Sequence, residues 1–282
     1  MKPTEYFKGR EVLIATKHQK EQVIAPIFKK LGVKSVVPAN FDTDQFGTFT
    51  GERPRVKSAL ETVKLKLVRA MNNSNYNMGL ASEGSFGPHP ILPFVQGNIE
   101  LVYFIDKLHD LEILAEAIST ETNFNRQTVT SWQEIEKFAL DAGFPAHDLI
   151  LSLKNDQENF ISIHKEIGDW KNLKLIASKL LNTEFSVIIE TDMRACYNPT
   201  RMKNIGMAAH KLVDKLLNCC PSCGFPGFEV TEVEKGLPCE QCGSPTLLAV
   251  NKIFICKKCN YEQKSRTKEK TADPANCDFC NP

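Results

Sequence analysis

Four C-x2-C pairs, Cys220/Cys223, Cys239/Cys242, Cys256/Cys259 and Cys277/Cys280, constrain this chain more than any other feature. A C-x2-C turn aims two thiolates at one point. Two such turns complete a tetrahedral sulfur site, so four supply the ligands of two zinc ions. Disulfides are the alternative, but a disulfide framework belongs to an oxidising compartment, and nothing in the sequence indicates one. Consecutive pairing would join Cys220/Cys223 to Cys239/Cys242. Nested pairing would join Cys239/Cys242 to Cys256/Cys259 around "TLLAVNKIFI", read as a hairpin, and both arrangements are sterically reasonable. Cys196 and Cys219 have no partner motif. Sites of this kind fold segments too small for a core of their own, because metal-binding free energy becomes folding free energy.

The cysteine-rich stretch divides the 282-residue chain into residues 1–218, ample for a large core, and a zinc-binding tail, 219–282. With 35 basic against 34 acidic side chains, no global field draws the molecule to nucleic acid or an anionic membrane. Lys257, Lys258, Lys264, Arg266, Lys268 and Lys270 form a basic cluster in the tail, but the tail carries as many acidic as basic groups, so nucleic acid is not the favoured partner. The first residues lack the apolar core of a signal peptide, and no run approaches the roughly 18 apolar residues of a membrane span. These features predict a cytoplasmic protein without a membrane partner.

Hydrophobic periodicity organises residues 1–218. "EVLIAT", "VKSVVPA", "IELVYFI", "LILSLK" and "FSVIIET" read as strands. "HQKEQVIAPIFKKLG" reads as an amphipathic helix stopped at Gly32, and residues 54–71 as a helix opening at Pro54 with Val56, Leu60, Val63 and Leu67 on one face. "SWQEIEKFALDAG" opens with a capping box of Ser131 and Glu134. "DWKNLKLIASKLL" is helical, and Asn198 caps a final helix with Pro199 at its first position. "LEILAEAISTETNFN" fits helix or strand. Alternating strands and helices predict an α/β fold, a mixed sheet flanked by helices, followed by a small β-rich four-cysteine zinc-ribbon tail.

Ligands collect in such folds where strands end and helices begin, since loop amides and helix N-termini offer unpaired donors there. Three stretches qualify. "ATKHQKE" sets Thr16, Lys17, His18 and Lys20 at a strand-to-helix turn, with Thr16 and the lysines suited to phosphate. "SEGSFG" sets Glu83 in what reads as a glycine turn, a place for an anion nest and for a metal-binding or basic carboxylate. "ETDMRACYNPTR" gathers Glu190, Asp192, Arg194 and Arg201, a mixture suited to metal plus phosphate and equally to an ion-pair network. His18, His89 and His147 show no metal-site spacing and read as surface histidines.

The order of these features resembles the inosine/xanthosine triphosphatase superfamily, enzymes that hydrolyse non-canonical purine nucleoside triphosphates to monophosphate and pyrophosphate. The likeness covers roughly residues 11–106. Ala15 and Thr16 match the opening Ala-Thr turn, Glu61 and Lys66 in "ETVKLK" match the helical motif, Glu83 matches the acidic turn, and "FGTFTGE" resembles the approach to the helix. His18 and Thr62 stand where that superfamily carries asparagine, and no Ser-His-Arg base-recognition motif follows. The resemblance implies magnesium held by Glu61 and Glu83, with Asp192 completing the site. It implies that Thr16, Lys17, Lys20 and Lys66, with Arg194 and Arg201 from further along the chain, neutralise the phosphates of a nucleotide or other phosphorylated small molecule. The whole layout is also similar to an uncharacterised bacterial family with a zinc-ribbon-like tail, which implies no function. The alternative expectation is a non-enzymatic nucleotide-sensing adaptor that docks protein or RNA through its zinc tail.

Overall fold

The computed structural model of the chain describes residues 3–39, 41–48, 52–157 and 159–282; Phe49, Thr50 and Gly51 of "FGTFTGE" lie outside them. Two compact units result, Gly9–Leu212 and, separately, the residues up to Lys8 together with Val213–Pro282. The sequence reading set the border at 218/219.

In the larger unit, β1 (Glu11–Ala15), α1 (Glu21–Phe28), β2 (Lys34–Val36), α2 (Ala59–Asn72), β3 (Met78–Pro88), β4 (Gln96–Asp106) and β5 (Leu111–Ser119) build a five-stranded sheet of order β2-β1-β3-β4-β5. β1 runs parallel to β2 and β3, while β3, β4 and β5 are successively antiparallel. The ambiguous "LEILAEAIS" is a strand because its period is two: Leu111, Ile113, Ala115 and Ala117 are buried while Glu112 and Glu116 are exposed.

α2 starts at Ala59, five residues past the expected Pro54, with Ser58 as its cap. The Ser58 hydroxyl accepts from the Glu61 amide and the Glu61 carboxylate reaches back to the Ser58 amide, a reciprocal cap that fixes the start. Val56 consequently lies outside the helix, 93% exposed. Within the helix, Val63, Leu67, Ala70 and Met71 pack on Leu13, Ala15, Ala81, Tyr103 and Ile105 of the sheet. Each large side chain so buried contributes roughly 1.5–3 kcal/mol. Gly79 lets α2 approach closely, for a Cβ there would sit 3.0 Å from Leu67 Cδ1.

The unit continues through β6 (Arg126–Val129), α3 (Trp132–Asp141), β7 (Leu149–Lys154), β8 (Phe160–Ile167), α4 (Trp170–Leu180) and β9 (Ser186–Thr191). These strands form an antiparallel sheet of order β6-β9-β7-β8. Ile135, Phe138, Leu173 and Leu180 pack against Leu149, Leu151, Val187 and Ile189 in its core. Ser131 caps α3 as expected, but Glu134 reaches the amide of Thr130. The last helix, α5 (Pro199–Leu217), begins where the Asn198 side chain accepts from the Arg201 amide at 2.9 Å.

Glu190 of β9 gives the second sheet a pH dependence. Its side chain is 14% exposed with Arg126 Nε 3.6 Å away, and burial pushes its carboxyl up to about 7. A raised folded pKa means that the stabilising protonated form is fully favoured below the unfolded value near 4.3 and is lost as pH rises through about 7. Glu190→Gln is therefore expected to raise the thermal midpoint at pH 8.5 and to leave it unchanged near pH 4. Equal effects at both pH values in a melting series would show that Glu190 ionises normally.

In the smaller unit β10 (Val230–Lys235), β11 (Ala249–Ile255) and β12 (Glu262–Arg266) form a three-stranded antiparallel sheet with β11 central. "TLLAVNKIFI" is thus one strand between two partners and not the hairpin that nested pairing would need. Every residue of β10 and β12 is exposed. The unit's buried residues include Tyr6, Phe7, Val213, Leu216, Phe225, Phe228, Leu237 and Ala272, together with Cys220, Cys239, Cys256 and Cys277. One ligand-type sulfur of every C-x2-C pair thus belongs to this core.

Candidate functional site

The cysteine pairs meet in neither of the two expected ways. Cys220 and Cys223 converge with Cys256 and Cys259, and Cys239 and Cys242 with Cys277 and Cys280, so the first pair joins the third and the second joins the fourth. Sulfur separations are 3.7 Å for Cys220–Cys259 and 3.6 Å for Cys223–Cys256. In the other cluster they are 3.8 Å for Cys239–Cys280 and 3.6 Å for Cys242–Cys277. Ligands about 2.3 Å from a central ion at tetrahedral angles lie about 3.8 Å apart, whereas disulfide sulfurs lie about 2.05 Å apart. Both clusters therefore have the dimensions for coordinating a metal ion.

The turns themselves are built alike. The amides of Gly224, Gly243 and Asn260 donate to the carbonyls of Cys220, Cys239 and Cys256 at 2.8, 3.0 and 2.9 Å. These three residues hold φ values of 72°, 73° and 56°, the left-handed region that glycine and asparagine tolerate. Turn donors also favour thiolate: the hydroxyl and amide of Ser244 push Cys242 down to about 6, and the amide of Tyr261 pushes Cys259 down to about 7. Their cluster mates move oppositely, Cys223 up to about 12 by burial and Cys280 up to about 12 by its hydrogen bond with Cys242.

The basic run of the tail does not form one face. Registers Ile253↔Lys264 and Asn251↔Arg266 set Lys264 and Arg266 on the side of the sheet that also carries Glu232 and Glu234. Phe254 points to the other side with Lys252, Gln263 and Ser265.

A second candidate site lies in the larger unit, where β1 stops. β1 pairs with β3 only from Leu13↔Gly79 to Ala15↔Ala81, yet β3 continues to Pro88. "SEGSFG" is thus the middle of a strand and not a turn, and its free edge opens on a cleft. The cleft is lined by His18, Lys20, Asp44, Thr48, Lys66, Glu83, Lys165 and Arg194 among others. Side chains take over the carbonyls that β1 no longer meets: Lys20 Nζ lies 3.5 Å from the Ser82 carbonyl oxygen, and Arg55 Nη1 donates to that of Gly84 at 2.9 Å.

Glu83 accepts from Lys66 and from Arg55 Nη1 at 3.0 Å. Burial raises its pKa, but Lys66 and Lys20 outweigh that, and the net shift is downward. Lys20 is different. Its Nζ donates to Ser82 Oγ at 3.0 Å, and no carboxylate among the described residues lies within ion-pairing distance. Burial, with Arg201 and Lys66 nearby, pushes it down to about 7. Adjoining the cleft and sharing Gly47, Thr48 and Glu83 with it is a recess of about 240 Å³ lined by Arg55, Ser85, Phe86 and Phe124. The two phenylalanine rings stack at 5.5 Å.

Of the residues expected to act together, Lys20, Lys66, Glu83 and Arg194 line the cleft. Glu61 is exposed and occupied in the α2 cap, and Lys17 is turned to Asp42 and Asp44 at 2.8 and 2.6 Å. Asp192 is fully buried and grips Arg194 through Nη2 at 2.6 Å. Arg201 lies beneath β3, with Nε 2.8 Å from Glu100 Oε1. The Thr16 hydroxyl is buried without a hydrogen-bond partner. The sequence reading missed Arg55, Lys165, Phe86 and Phe124, and it set His18 aside as a surface residue although it pairs with Asp44 at 3.0 Å. No periodic signal marks these residues, since strand pairing brings them together from distant positions.

No helix among the described residues is long and apolar enough to cross a membrane. Residues 66–282 match a family model described as a domain of unknown function, DUF6671. No curated protein matches the chain.

Proposed function

Because the chain belongs to the DUF6671 family, whose description assigns no activity, we propose from its own residues that the cleft beside β3 binds the phosphate chain of a nucleotide. The observation that carries this reading is Lys20, a buried lysine without a carboxylate partner, facing a cleft with Lys66, Lys165 and Arg194. Such a group gains most from an incoming anion. The recess with Phe86 and Phe124 supports a planar ring on the same ligand, since aromatic stacking adds about 0.5–1.5 kcal/mol beyond burial.

Hydrolysis to monophosphate and pyrophosphate is the activity that the triphosphatase resemblance suggests for this cleft. Magnesium would arrive on the phosphate oxygens of the ligand, because Glu83 is already paired with Lys66 and Arg55, and Asp44 with Lys17 and His18. Glu83 would then act by holding Lys66 and Arg55 toward the phosphates, and Asp192 by holding Arg194. In the smaller unit the eight clustered cysteines would hold two structural zinc ions.

The test is a thermal-shift and turnover panel of pyrophosphate and purine triphosphates, each with and without magnesium. Pyrophosphate and triphosphates are expected to raise the thermal midpoint of the wild type and not of Lys66→Met. Phe124→Ala should weaken triphosphates by about 3–10-fold while leaving pyrophosphate binding intact. Released pyrophosphate would establish a hydrolase, and binding without turnover a nucleotide sensor. No shift with any of these anions would end the phosphate reading.

A further inference from the structure

We propose that Lys20 is a neutral amine in the empty cleft and becomes an ammonium when a phosphate group lies against it, so that ligand binding takes up a proton from solvent. This rests on the phosphate reading of the cleft. Three observations carry it. Lys20 is 7% exposed, so its charged form loses most of its hydration. Its hydrogen bonds go to the uncharged oxygens of Ser82, the hydroxyl at 3.0 Å and the carbonyl at 3.5 Å. The cations nearest in effect are Arg201 from α5 and Lys66 from α2, and both repel a further positive charge.

The acids around it are engaged elsewhere. Glu83 of β3 is paired with Lys66 and Arg55, and Glu100 of β4 with Arg201. Across the cleft, Asp44 is held by Lys17 and His18, Lys165 of β8 is paired with Glu52, and Arg194 with Asp192 and Glu166. Burial, then the like charges of Arg201 and Lys66, outweigh the attraction of Glu100 and Glu83 and bring the pKa to about 7. A phosphate group reverses that balance, since two negative oxygens beside Nζ favour the ammonium and restore an ordinary lysine value near 10.4.

The sign of the linkage follows. Above the pKa of the empty cleft, each binding event must first protonate Lys20, so affinity falls by close to tenfold per pH unit between about pH 7.5 and pH 9. Lys20→Arg carries a permanent cation, loses this dependence, and retains only the titration of the ligand itself.

The experiment combines two measurements on the full chain. Carbon-13-labelled lysine, with the Lys20 Cε signal identified by its loss in Lys20→Arg, gives the titration midpoint with and without pyrophosphate. Calorimetry with pyrophosphate in buffers of different ionisation enthalpy gives the protons taken up. The expected result is a midpoint near neutrality that rises by at least 2 units on binding, with an uptake at pH 8 that is larger by close to one proton than in Lys20→Arg. A midpoint with the ordinary lysines, or equal uptake in both proteins, overturns the proposal while leaving phosphate binding in place. Absence of pyrophosphate binding in both proteins overturns the phosphate reading and the proton coupling with it.

Discussion

Removing metal from this protein is expected to unfold the Val213–Pro282 unit and to leave Gly9–Leu212 folded. The larger unit has apolar cores of its own, whereas the smaller has outer strands that bury nothing and a core partly made of cysteine. A structural zinc site contributes about 10–16 kcal/mol of folding free energy, more than the net stability of most domains. Chelation followed by hydrogen exchange should therefore release protection in β10, β11 and β12 while β1, β3, β7 and β9 stay protected. Native protein should carry two metal ions per chain. Because the pairs interleave, Cys239→Ala should disturb both clusters, as Cys239 and Cys242 lie on the connection between the two halves of the other site. A chelated protein with unaltered exchange would show that the clusters are not structural.

The second large effect belongs to the buried pair beneath β3. Arg201 and Glu100 have side chains 1% and 0% exposed. Glu100 Oε1 accepts from Arg201 Nε at 2.8 Å and from Asn98 at 3.1 Å, while its other oxygen has no hydrogen-bond partner. Arg201→Met leaves that carboxylate buried with its main counter-charge gone, which costs about 3–5 kcal/mol. For a unit of this size the loss corresponds to roughly 10 °C in thermal midpoint. Adding Glu100→Met should recover most of it, because an apolar pair of similar volume removes the stranded charge. Urea titration of the single and double variants reads this directly, and equal stability of Arg201→Met and wild type would sink the argument.

The same pair explains why a glycine follows Glu83. A Cβ on Gly84 would come within 2.6 Å of Glu100 Oε1 and 2.7 Å of Arg201 Nη2. Gly84 is required by the ion pair under the strand, not by a turn. The sequence offers no means of seeing this, because Gly84, Glu100 and Arg201 meet only through the β3–β4 register and the packing of α5.

Local features were far more legible. Short apolar runs located β1, β4, β7 and β9, which are buried along most of their length, and helical patterns located α3, α4 and α5. α2 is instructive: its apolar stripe of Val63, Leu67, Ala70 and Met71 includes Lys66, so a lysine at an inward position already signals a buried partner, here Glu83. The start of α2 was misread because a serine–glutamate cap outweighed a proline. The cleft was half legible, through its own lysines and Glu83, but its opposite wall comes from a second sheet that no local pattern links to the first. Cysteine spacing identified the ligands and not their pairing, because the spacings within C-x2-C turns say nothing about which turns meet.

Interleaved pairing also sets an order of assembly during synthesis. When Cys220, Cys223, Cys239 and Cys242 have left the ribosome, each cluster holds only half of its ligands. The first closes only after Cys259 emerges and the second only after Cys280. A chain cut between Cys242 and Cys256 therefore has two half-sites and no finished one, exposing thiols that the complete chain gathers into its core, so the cysteines report whether translation has run through the last pair.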